Sequence, residues 1–320
     1  MARRVVVTDH VFGGLEVERG LLEPLGAEVV LADSTAEDDL VELAATADAM
    51  LVCYAPVGAR VVEAAAGNGC AVLARYGIGV DNIDVETATR LGVQVTNVPD
   101  YCLDEVADHT LALLLASARQ VLNAGIRVRE GGWQVPHGDL HRLRGRRLAL
   151  LGVGRIGRKV VERVLPLGLE VVGYDPYLAE APAGMELVET AAEAVRDADF
   201  VSLHAPLTEA THHLVDASLI AEMRRAPVLV NTSRGPLVDN AAAAAALAEG
   251  TLSGVALDVT EVEPLPDDDP LRSDPRAIVT PHMAFYSVES ERELQERAAD
   301  EVVRALKGEA PRCPVNEVGR

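Results

Sequence analysis

The chain has little positive charge, lysine or aromatic character. Its 320 residues carry a formal net charge of −21, aromatic residues make up 3%, and lysine occurs only as Lys159 and Lys307. A surface with this excess of carboxylates repels nucleic-acid phosphates, and no basic stripe in the sequence offsets it. We therefore expect no direct binding to nucleic acid.

Cysteine is scarce, and long apolar runs are missing. Cys53, Cys70, Cys102 and Cys313 show no paired spacing, so neither a disulfide framework nor a zinc site is predicted, and buried thiols are expected. No run approaches the length of a membrane-spanning helix. The N-terminal segment passes directly into a strand-like run and lacks the apolar core of a signal peptide. The sequence thus predicts a cytoplasmic protein with no metal site and no membrane contact.

Short apolar runs alternate with helical stretches over residues 3–99 and again from Leu148 to Thr280. Such alternation predicts parallel sheets with helices on both faces. The predicted fold class is α/β, with two Rossmann-like or flavodoxin-like, doubly wound parallel-sheet domains and a cleft between them. A long periodic helix is predicted over about 102–120, and another from roughly Val288 to Leu306. The strand-like runs are 5–7, 28–31, 49–53, 71–74, 93–96, 148–151, 169–174, 199–203, 228–230, 254–257 and 277–280.

Three glycines, Gly152, Gly154 and Gly157, follow the strand-like run 148–151 and open a helical pattern that contains Arg155 and Ile156. Such glycines allow a tight turn, close approach of the backbone to a pyrophosphate, and close helix packing. The helix N-terminus offers N–H groups to the phosphate oxygens. An ordinary strand-to-helix turn is the alternative interpretation. Because strand, turn and helix occur in order, we predict a dinucleotide site.

The next strand-like run, 169–174, ends at Asp175, which lies 23 residues after Gly152. This spacing puts a carboxylate where an adenosine ribose offers its hydroxyl groups. Aspartate at this place favours NAD over NADP, because a 2′-phosphate would meet a negative charge. His204, Pro206, Thr232 and Asp258 are further predicted cofactor residues, with His204 as a wall residue rather than a catalytic group.

Polar residues follow the later strand-like runs of the second series. Arg234, Asp258 and His282 each come just after such a run, and ligands bind beyond the carboxyl ends of the strands in open parallel sheets. An arginine can hold a carboxylate and an adjacent carbonyl oxygen through two directed hydrogen bonds. A histidine can transfer a proton to that oxygen, and Glu263 is the candidate to orient the imidazole. A capping arginine, a solvated glutamate and a structural histidine are the alternatives.

These segments resemble the D-isomer-specific 2-hydroxy acid dehydrogenases nearly from end to end. The matching segments are 75–84 (Arg-Tyr-Gly-Ile-Gly-Val-Asp-Asn-Ile-Asp), 97–99 (Asn-Val-Pro), 105–107 (Glu-Val-Ala), 152–157, 231–235 (Asn-Thr-Ser-Arg-Gly), 256–259 (Ala-Leu-Asp-Val), 263–264 (Glu-Pro) and 280–282 (Thr-Pro-His). Several independent motifs in the family's order make this a specific resemblance. It implies hydride transfer between NAD(H) and C2 of a small 2-oxo or D-2-hydroxy acid.

The resemblance also implies a role for each site residue. Arg234 would bind the substrate, Glu263 and His282 would form the acid/base pair, and Asp258 would hold the nicotinamide carboxamide. The substrate site would further contain Arg75, Gly77, Ile78, Gly79 and Phe285. Residues 1–100 and 286–320 would form the substrate-binding domain and 101–285 the NAD-binding domain, through which two chains would pair as a homodimer.

The segment after the catalytic histidine, Met283-Ala-Phe-Tyr-Ser287, is similar to the C-terminal binding protein co-repressors, which are NAD-dependent relatives. A second hypothesis is therefore an NAD(H)-sensing, dimeric interaction protein. The intact Arg234, Glu263 and His282 favour the enzyme, since an interaction protein has no reason to keep an acid/base pair. Phe285 and Tyr286 beside His282 suggest a pocket for an apolar or aromatic side chain.

Other oxidoreductase classes fit the sequence poorly. Short-chain dehydrogenases need Tyr-x-x-x-Lys, but Arg155 and Val303 stand four residues before the two lysines. Zinc-dependent alcohol dehydrogenases need clustered cysteine and histidine ligands, which the sequence lacks. No partner is identifiable for four further histidines, His10, His109, His137 and His141. Trp133 is expected to be a packing anchor.

Overall fold

The computed structural model describes residues 3–135 and 140–319, and its chain divides into two compact units. Unit 1 consists of Met1–Tyr101 and Ser287–Arg320, and unit 2 of Cys102–Tyr286. Of the histidines without an identified partner, His137 lies outside the described residues. Both units are parallel α/β structures, which confirms the two predicted parallel-sheet domains.

Unit 1 contains a five-stranded parallel sheet in the order β2-β1-β3-β4-β5. The strands are β1 (Arg3–Val7), β2 (Ala27–Leu31), β3 (Ala49–Val52), β4 (Val72–Arg75) and β5 (Gln94–Thr96). The helices between them are α1 (Glu16–Leu22), α2 (Glu37–Ala44), α3 (Ala59–Gly67) and α4 (Val85–Leu91). All residues of β3 and β4 are buried, because helices cover both faces of the sheet.

Unit 2 contains a seven-stranded parallel sheet in the order β12-β11-β10-β9-β6-β7-β8. Its elements are α5 (Leu103–Arg119), α6 (Val121–Arg129), β6 (Arg147–Leu151), α7 (Arg155–Val164), β7 (Glu170–Tyr174), β8 (Met185–Leu187), α8 (Ala191–Val195), β9 (Phe200–Leu203), α9 (Ala217–Ala221), β10 (Val228–Asn231), α10 (Asn240–Glu249), β11 (Gly254–Leu257) and β12 (Ala277–Val279). A last helix, α11 (Val288–Leu306), belongs to unit 1, where it packs against α1, β3 and β4.

The two faces of the unit 2 sheet carry separate apolar clusters. Leu148 and Leu150 of β6 point into the cluster that contains residues of α5 and α7. Ala149 and Leu151 point into the cluster on the opposite face, with residues of α8, α9 and α10. Successive side chains of a strand alternate between faces, so a strand covered on both sides reads as a continuous apolar run. This explains why the central strands were visible in the sequence.

Two elements of unit 2 were not predicted. Strand β8 has three residues and lies at the sheet edge, and its central Glu186 interrupts the apolar pattern. Helix α6 begins directly after Gln120, whose backbone angle φ of 50° ends α5. In the described part of the chain, no single helix is long and apolar enough to cross a membrane; α5 and α6, bent by 62°, pass that test only as a pair.

The cysteines are unbridged, and three of them, Cys53, Cys70 and Cys102, are buried. Burial raises the pKa of the Cys53 and Cys70 thiols to about 12, so both stay protonated near neutral pH. Within residues 3–135 and 140–319, no group of three or more His, Cys, Asp or Glu side chains is arranged to hold a metal ion.

Candidate active site

The strand order of unit 2 reverses between β6 and β9, so the connections that follow these strands run in opposite directions along the sheet. Such a switch point opens a crevice at the carboxyl ends of the strands, where ligands of α/β proteins bind. The predicted glycine turn follows β6 at this edge, and His204 follows β9. The structure therefore places the predicted cofactor turn at the switch point of unit 2.

The turn after β6 requires glycine at two positions. Gly152 has a φ of 93°, and a Cβ atom there would lie 2.6 Å from the backbone nitrogen of Ala205 and the carbonyl carbon of His204. A Cβ atom on Gly157 would lie 2.8 Å from the carbonyl oxygen of Gly152. These glycines let the turn lie against the end of β9 and let α7 pack against the turn, as the sequence predicted.

Gly154 faces open space: apart from its neighbours along the chain, no atom of the described residues lies within 4 Å of the position that a Cβ atom would take there. It caps the N-terminus of α7 without a side-chain hydrogen bond. Arg155 and Ile156 are the first residues of that helix, and Arg155 is exposed. The N–H groups of a helix's first turn lack partners within the helix and attract anions. The turn therefore fits the pyrophosphate of a dinucleotide.

Asp175 follows β7 and lies beside the glycine turn. Its carboxylate accepts hydrogen bonds from the backbone N–H of Val153 at 2.8 Å and of Tyr177 at 3.0 Å. These bonds fix a negative charge at the end of the strand next to the cofactor turn. The residue thus lies where the sequence placed it, and its contact with a ribose stays a prediction.

The other predicted cofactor residues lie at the ends of β9 and β10. His204 places Nε2 2.9 Å from Ser202 Oγ, its Nδ1 atom is buried without a partner among the described residues, and burial lowers its pKa to about 4. The imidazole is therefore neutral at pH 7, as befits a wall rather than an acid/base group. Thr232 bonds to Thr110 of α5 at 2.8 Å, and the Pro206 carbonyl oxygen accepts from Thr211. Their cofactor contacts stay predictions.

The structure brings His282 and Glu263 together. His282 Nδ1 lies 2.7 Å from Glu263 Oε2, and the second carboxylate oxygen, Oε1, accepts from the backbone N–H of Thr260 at 3.1 Å. The side chains of His282 and Glu263 are 27% and 38% exposed, so the pair is accessible to a ligand. A carboxylate on Nδ1 fixes the ring orientation and leaves Nε2 as the atom that can transfer a proton.

His282 has an unusual backbone conformation. Its φ is 51°, in the left-handed region that costs a residue with a side chain about 1–2 kcal/mol. Its N–H donates to the carbonyl oxygen of Asp258 at 2.8 Å and lies 3.0 Å from that of Thr280. A strained conformation persists only where its surroundings hold it, and such residues cluster at functional sites.

Asp258 is almost completely buried, and its carboxylate is bonded to the loop that carries His282. Oδ1 accepts from Thr280 Oγ1 at 2.5 Å and from the N–H of Met283 at 3.0 Å, and Oδ2 accepts from the N–H of Ala284 at 2.8 Å. Burial alone would raise the pKa of Asp258, but these bonds and one from His109 hold it below its usual range. The carboxylate is thus a structural anchor, and its contact with a nicotinamide stays a prediction.

Arg234 lies in the loop after β10, and Asn231 fixes that loop by donating from Nδ2 to the Arg234 carbonyl oxygen at 2.8 Å. The next residue, Gly235, passes so close to the backbone of Thr260 that a Cβ atom would collide with it. The Arg234 loop therefore lies against the segment that leads to Glu263. Glycine at position 235 is what permits this approach.

The remaining predicted substrate residues are described within their own units. In unit 1, Arg75 is buried, donates from Nε to Asn82 at 3.1 Å and lies 5.7 Å from the centre of the Tyr54 ring. The segment Gly77–Gly79 follows it, with the Ile78 carbonyl oxygen accepting from Asn97 at 2.6 Å. In unit 2, Phe285 is partly buried and contacts Tyr286 edge to face. Their roles toward a substrate stay predictions.

Sequence reasoning missed the partners of two histidines, His109 and His213. His109 of α5 places Nε2 3.0 Å from Thr280 Oγ1 and 3.4 Å from Asp258 Oδ1. No partner for His109 was predicted from the sequence. His213 lies 2.6 Å from Glu261, whose other oxygen accepts from the N–H of Asn240. The position of Glu261, two residues before Glu263, could have drawn attention to its carboxylate. Nothing in the sequence indicated that His213 is its partner.

Trp133 does not anchor the packing of this chain, contrary to expectation. Its side chain is 86% exposed, and the helix before it also presents large apolar side chains. The exposed apolar residues of this segment are Val121, Leu122, Ile126, Val128, Trp133 and Val135. We call them the α6 apolar segment.

Comparison with known proteins identifies the family. Residues 111–284 match the model of the D-isomer specific 2-hydroxyacid dehydrogenase NAD binding domain. The chain is 37% identical over 317 residues to a D-3-phosphoglycerate dehydrogenase of Methanocaldococcus jannaschii, covering 98% of this chain and 59% of that protein. It is 40% identical over 269 residues to a glyoxylate reductase of Korarchaeum cryptofilum, covering 82% of this chain and 80% of that protein.

A solved structure shows the same fold with the cofactor bound. The NAD-dependent formate dehydrogenase of Staphylococcus aureus in complex with NAD superposes with a TM-score of 0.89 at 26% identity, covering 99% of this chain and all of that one. The finer resemblance to C-terminal binding proteins stays a prediction. With its glycine turn, its histidine–glutamate pair and these relatives, the chain belongs to the D-isomer specific 2-hydroxyacid dehydrogenase family, and NAD is its cofactor.

Proposed function

We propose that this protein is an NAD-dependent reductase of small 2-oxo acids that forms D-2-hydroxy acids and catalyses the reverse oxidation. The observation that carries the proposal is the 2.7 Å contact between His282 Nδ1 and Glu263 Oε2 in the unit that carries the NAD turn. An imidazole oriented in this way is suited to proton transfer at a carbonyl oxygen. Unit 2 is the NAD-binding domain in this proposal, and unit 1 supplies the other substrate contacts.

Bound NADH supplies the hydride that reduces C2 of the substrate. Arg234 holds the substrate carboxylate and carbonyl through charge-assisted hydrogen bonds and so fixes the reacting carbon. Nε2 of His282 donates a proton to the carbonyl oxygen, which becomes the hydroxyl group, and the imidazole is left neutral. In the reverse direction the neutral Nε2 accepts that proton. Glu263 keeps Nδ1 engaged, so that the correct nitrogen faces the substrate.

Turnover can be tested by following NADH oxidation at 340 nm with a panel of 2-oxo acids. Glyoxylate and 3-phosphohydroxypyruvate represent the substrates of the reductase and dehydrogenase relatives, and phenylpyruvate tests the apolar pocket suggested by Phe285. We expect turnover that falls about 10²- to 10⁴-fold in His282→Ala, because general acid catalysis contributes about that much. NADH binding without turnover on any member would overturn the proposal.

The role of Glu263 can be separated from that of His282 by its charge. Glu263→Gln keeps a hydrogen-bond acceptor for Nδ1 but removes the negative charge beside the imidazole. We expect the variant to shift one limb of the pH profile of kcat/KM while its affinity for NADH stays unchanged. A profile identical to that of the wild type would remove Glu263 from the mechanism.

A homodimer formed through the NAD domains is the second part of the proposal. The α6 apolar segment supports it, since contiguous exposed apolar surface marks association sites, and Trp133 and Ile126 lie on it. We expect light scattering after size exclusion to give the mass of two chains. A double variant, Ile126→Asp with Trp133→Asp, is expected to run as a monomer. A monomeric wild type would contradict this part of the proposal. Cytoplasmic location remains a proposal from the sequence.

A further inference from the structure

A chain of hydrogen bonds from α5 ends at the loop that carries His282. His109 Nε2 lies 3.0 Å from Thr280 Oγ1, and Thr280 Oγ1 donates to Asp258 Oδ1 over 2.5 Å. A carboxylate accepts hydrogen bonds and donates none, so the single hydroxyl hydrogen of Thr280 is used on Asp258. Nε2 of His109 must therefore carry a hydrogen and donate it to Thr280. It also lies 3.4 Å from Asp258 Oδ1, within reach of the same charge.

Asp258, the last residue in this series of hydrogen bonds, accepts hydrogen bonds from three successive peptide groups. Its backbone oxygen accepts from the N–H of His282 at 2.8 Å, and its carboxylate accepts from the N–H groups of Met283 and Ala284. The first of these three residues is strained, because His282 has a φ of 51°. The bonds from Asp258 are what oppose relaxation of that strain.

We propose that His109 and Thr280 are positioning residues of the reaction: they fix the rotation of the Asp258 carboxylate, which holds His282 in its left-handed conformation with the imidazole on Glu263. The inference rests on the proposed function, since it concerns the orientation of its proton donor. Without the Thr280 hydroxyl, Oδ1 keeps the Met283 N–H as its backbone donor. The carboxylate can then turn, and the peptide groups after His282 can relax toward ordinary backbone angles.

The environment of these residues supports a positioning role over a surface contact. Asp258 is 2% exposed and the His109 side chain 19%, so water does not readily replace either residue as a hydrogen-bond partner. Buried charge-assisted hydrogen bonds are short and directional, as the 2.5 Å bond between Thr280 and Asp258 is. Displacing a catalytic group by about 1 Å can lower a rate about 10²-fold.

The first test compares Thr280→Val with Thr280→Ser. Valine keeps the shape of the side chain and removes the hydroxyl group, whereas serine keeps the hydroxyl group. We expect kcat of Thr280→Val to fall about 10- to 100-fold at a temperature where the variant is fully folded, with KM for the 2-oxo acid within about two-fold of the wild type. Thr280→Ser is expected to recover most of kcat. A structural role would lower the melting temperature and leave kcat unchanged, and that result would overturn the inference.

A second pair of variants approaches the same chain from α5. His109→Gln retains a donor near Thr280, and His109→Leu removes it. We expect the leucine variant to lose kcat as Thr280→Val does, and the glutamine variant to lose less. If Thr280→Val does not fold, the two His109 variants alone test the positioning role. Equal kcat in the leucine variant and the wild type would overturn the inference.

A readout without turnover separates this inference from the proposed function. In protein labelled with 15N-histidine, the imidazole signals of His282 can be assigned by their loss in His282→Ala. We expect them to shift or broaden in Thr280→Val and to return in Thr280→Ser. Unchanged signals would overturn the positioning role even if the enzyme is active. A wild type that shows no turnover, with signals that respond to Thr280→Val, would instead remove the proposed function and keep the inference.

Discussion

Two turns of unit 2 place a residue in a backbone conformation with positive φ after a parallel strand, and they stabilise it in different ways. After β6 the residue is Gly152, with a φ of 93°, and after β12 it is His282, with a φ of 51°. Glycine adopts such angles without steric cost, whereas histidine does not. The first turn is therefore encoded by its own residue. The second depends on Asp258 and the residues bonded to it.

The difference follows from what each turn does. At Gly152 the backbone lies so close to the end of β9 that a Cβ atom would be only 2.6 Å from the backbone of His204 and Ala205. A side chain is therefore excluded there. At His282 the imidazole contacts Glu263, and the proposed proton transfer requires that side chain. A turn that needs a side chain for chemistry cannot use glycine to remove strain. The stabilisation then has to come from elsewhere in the fold.

The largest effect is expected at the first turn. In Gly152→Ala the new methyl group would meet the backbone of His204 and Ala205 at a positive φ, so we expect the free energy of unfolding to fall by about 2–5 kcal/mol and NADH binding to be lost. Urea denaturation and NADH titration measure both. Gly154→Ala is the matched control, because it adds its methyl group in open space and is expected to fold normally. Equal stability of the two variants would contradict the comparison.

The next effect concerns His204, whose backbone lies against Gly152. Its pKa of about 4 lies below the value of about 6.5 in an unfolded chain, so the unfolded chain binds the proton first as pH falls. The contribution of His204 to the free energy of unfolding is fully present above about pH 6.5. It decreases by about 3 kcal/mol between about pH 6.5 and 4. We expect His204→Gln to lose stability less steeply in this window. Parallel slopes for variant and wild type in urea denaturation would contradict the assignment.

A smaller effect is expected at Asp258, which holds the second turn. Asp258→Asn places an amide where a carboxylate accepts from Met283 and Ala284, so we expect a loss of about 2 kcal/mol at pH 7. The pKa of Asp258 is lowered in the folded protein, so its contribution is present above about pH 4 and is lost as pH falls through the folded value. The difference between variant and wild type is therefore expected to vanish in acid. A difference in stability between variant and wild type that persists in acid would contradict this role of the Asp258 carboxylate.

The smallest change in stability is expected at His282 itself. His282→Gly relieves left-handed strain of about 1–2 kcal/mol but loses the bond to Glu263 and makes the unfolded chain more flexible. These terms oppose each other, so we expect the free energy of unfolding to stay within about 1 kcal/mol while turnover is lost. His282→Val, which is β-branched, is the contrasting variant and is expected to be clearly destabilised. Equal stability of the two would mean that the second turn is not strained.

Much of the fold was predictable because its central strands are covered on both faces. Strand β11 and helix α11 have the predicted bounds, since an apolar run or a helical repeat of sufficient length identifies itself. Strand β8 was missed, because an edge strand of three residues with Glu186 at its centre has no such pattern. The bend after α5 was also missed, since Gln120 gives no sign of a positive φ.

The candidate site divides in the same way. Arg234, Glu263 and His282 were predicted as site residues from their places after apolar runs, and the structure shows the contact between the last two. The side chain of His109 has no local signal, because its partner Thr280 is 171 residues away. Likewise, nothing in the sequence pairs His213 with Glu261.

The sequence by itself determined the strand, glycine turn and helix that fit a dinucleotide, because each of these depends on residues next to one another. It also predicted Arg234, Glu263 and His282 as the side chains that carry the chemistry, and that assignment stays a prediction. Only the tertiary structure decided how the histidine is held. The anchor formed by Asp258, Thr280 and His109 depends on the residues that directly follow β11 and β12 and on one residue of α5, which meet only when the sheet of unit 2 has formed and the helix covers it.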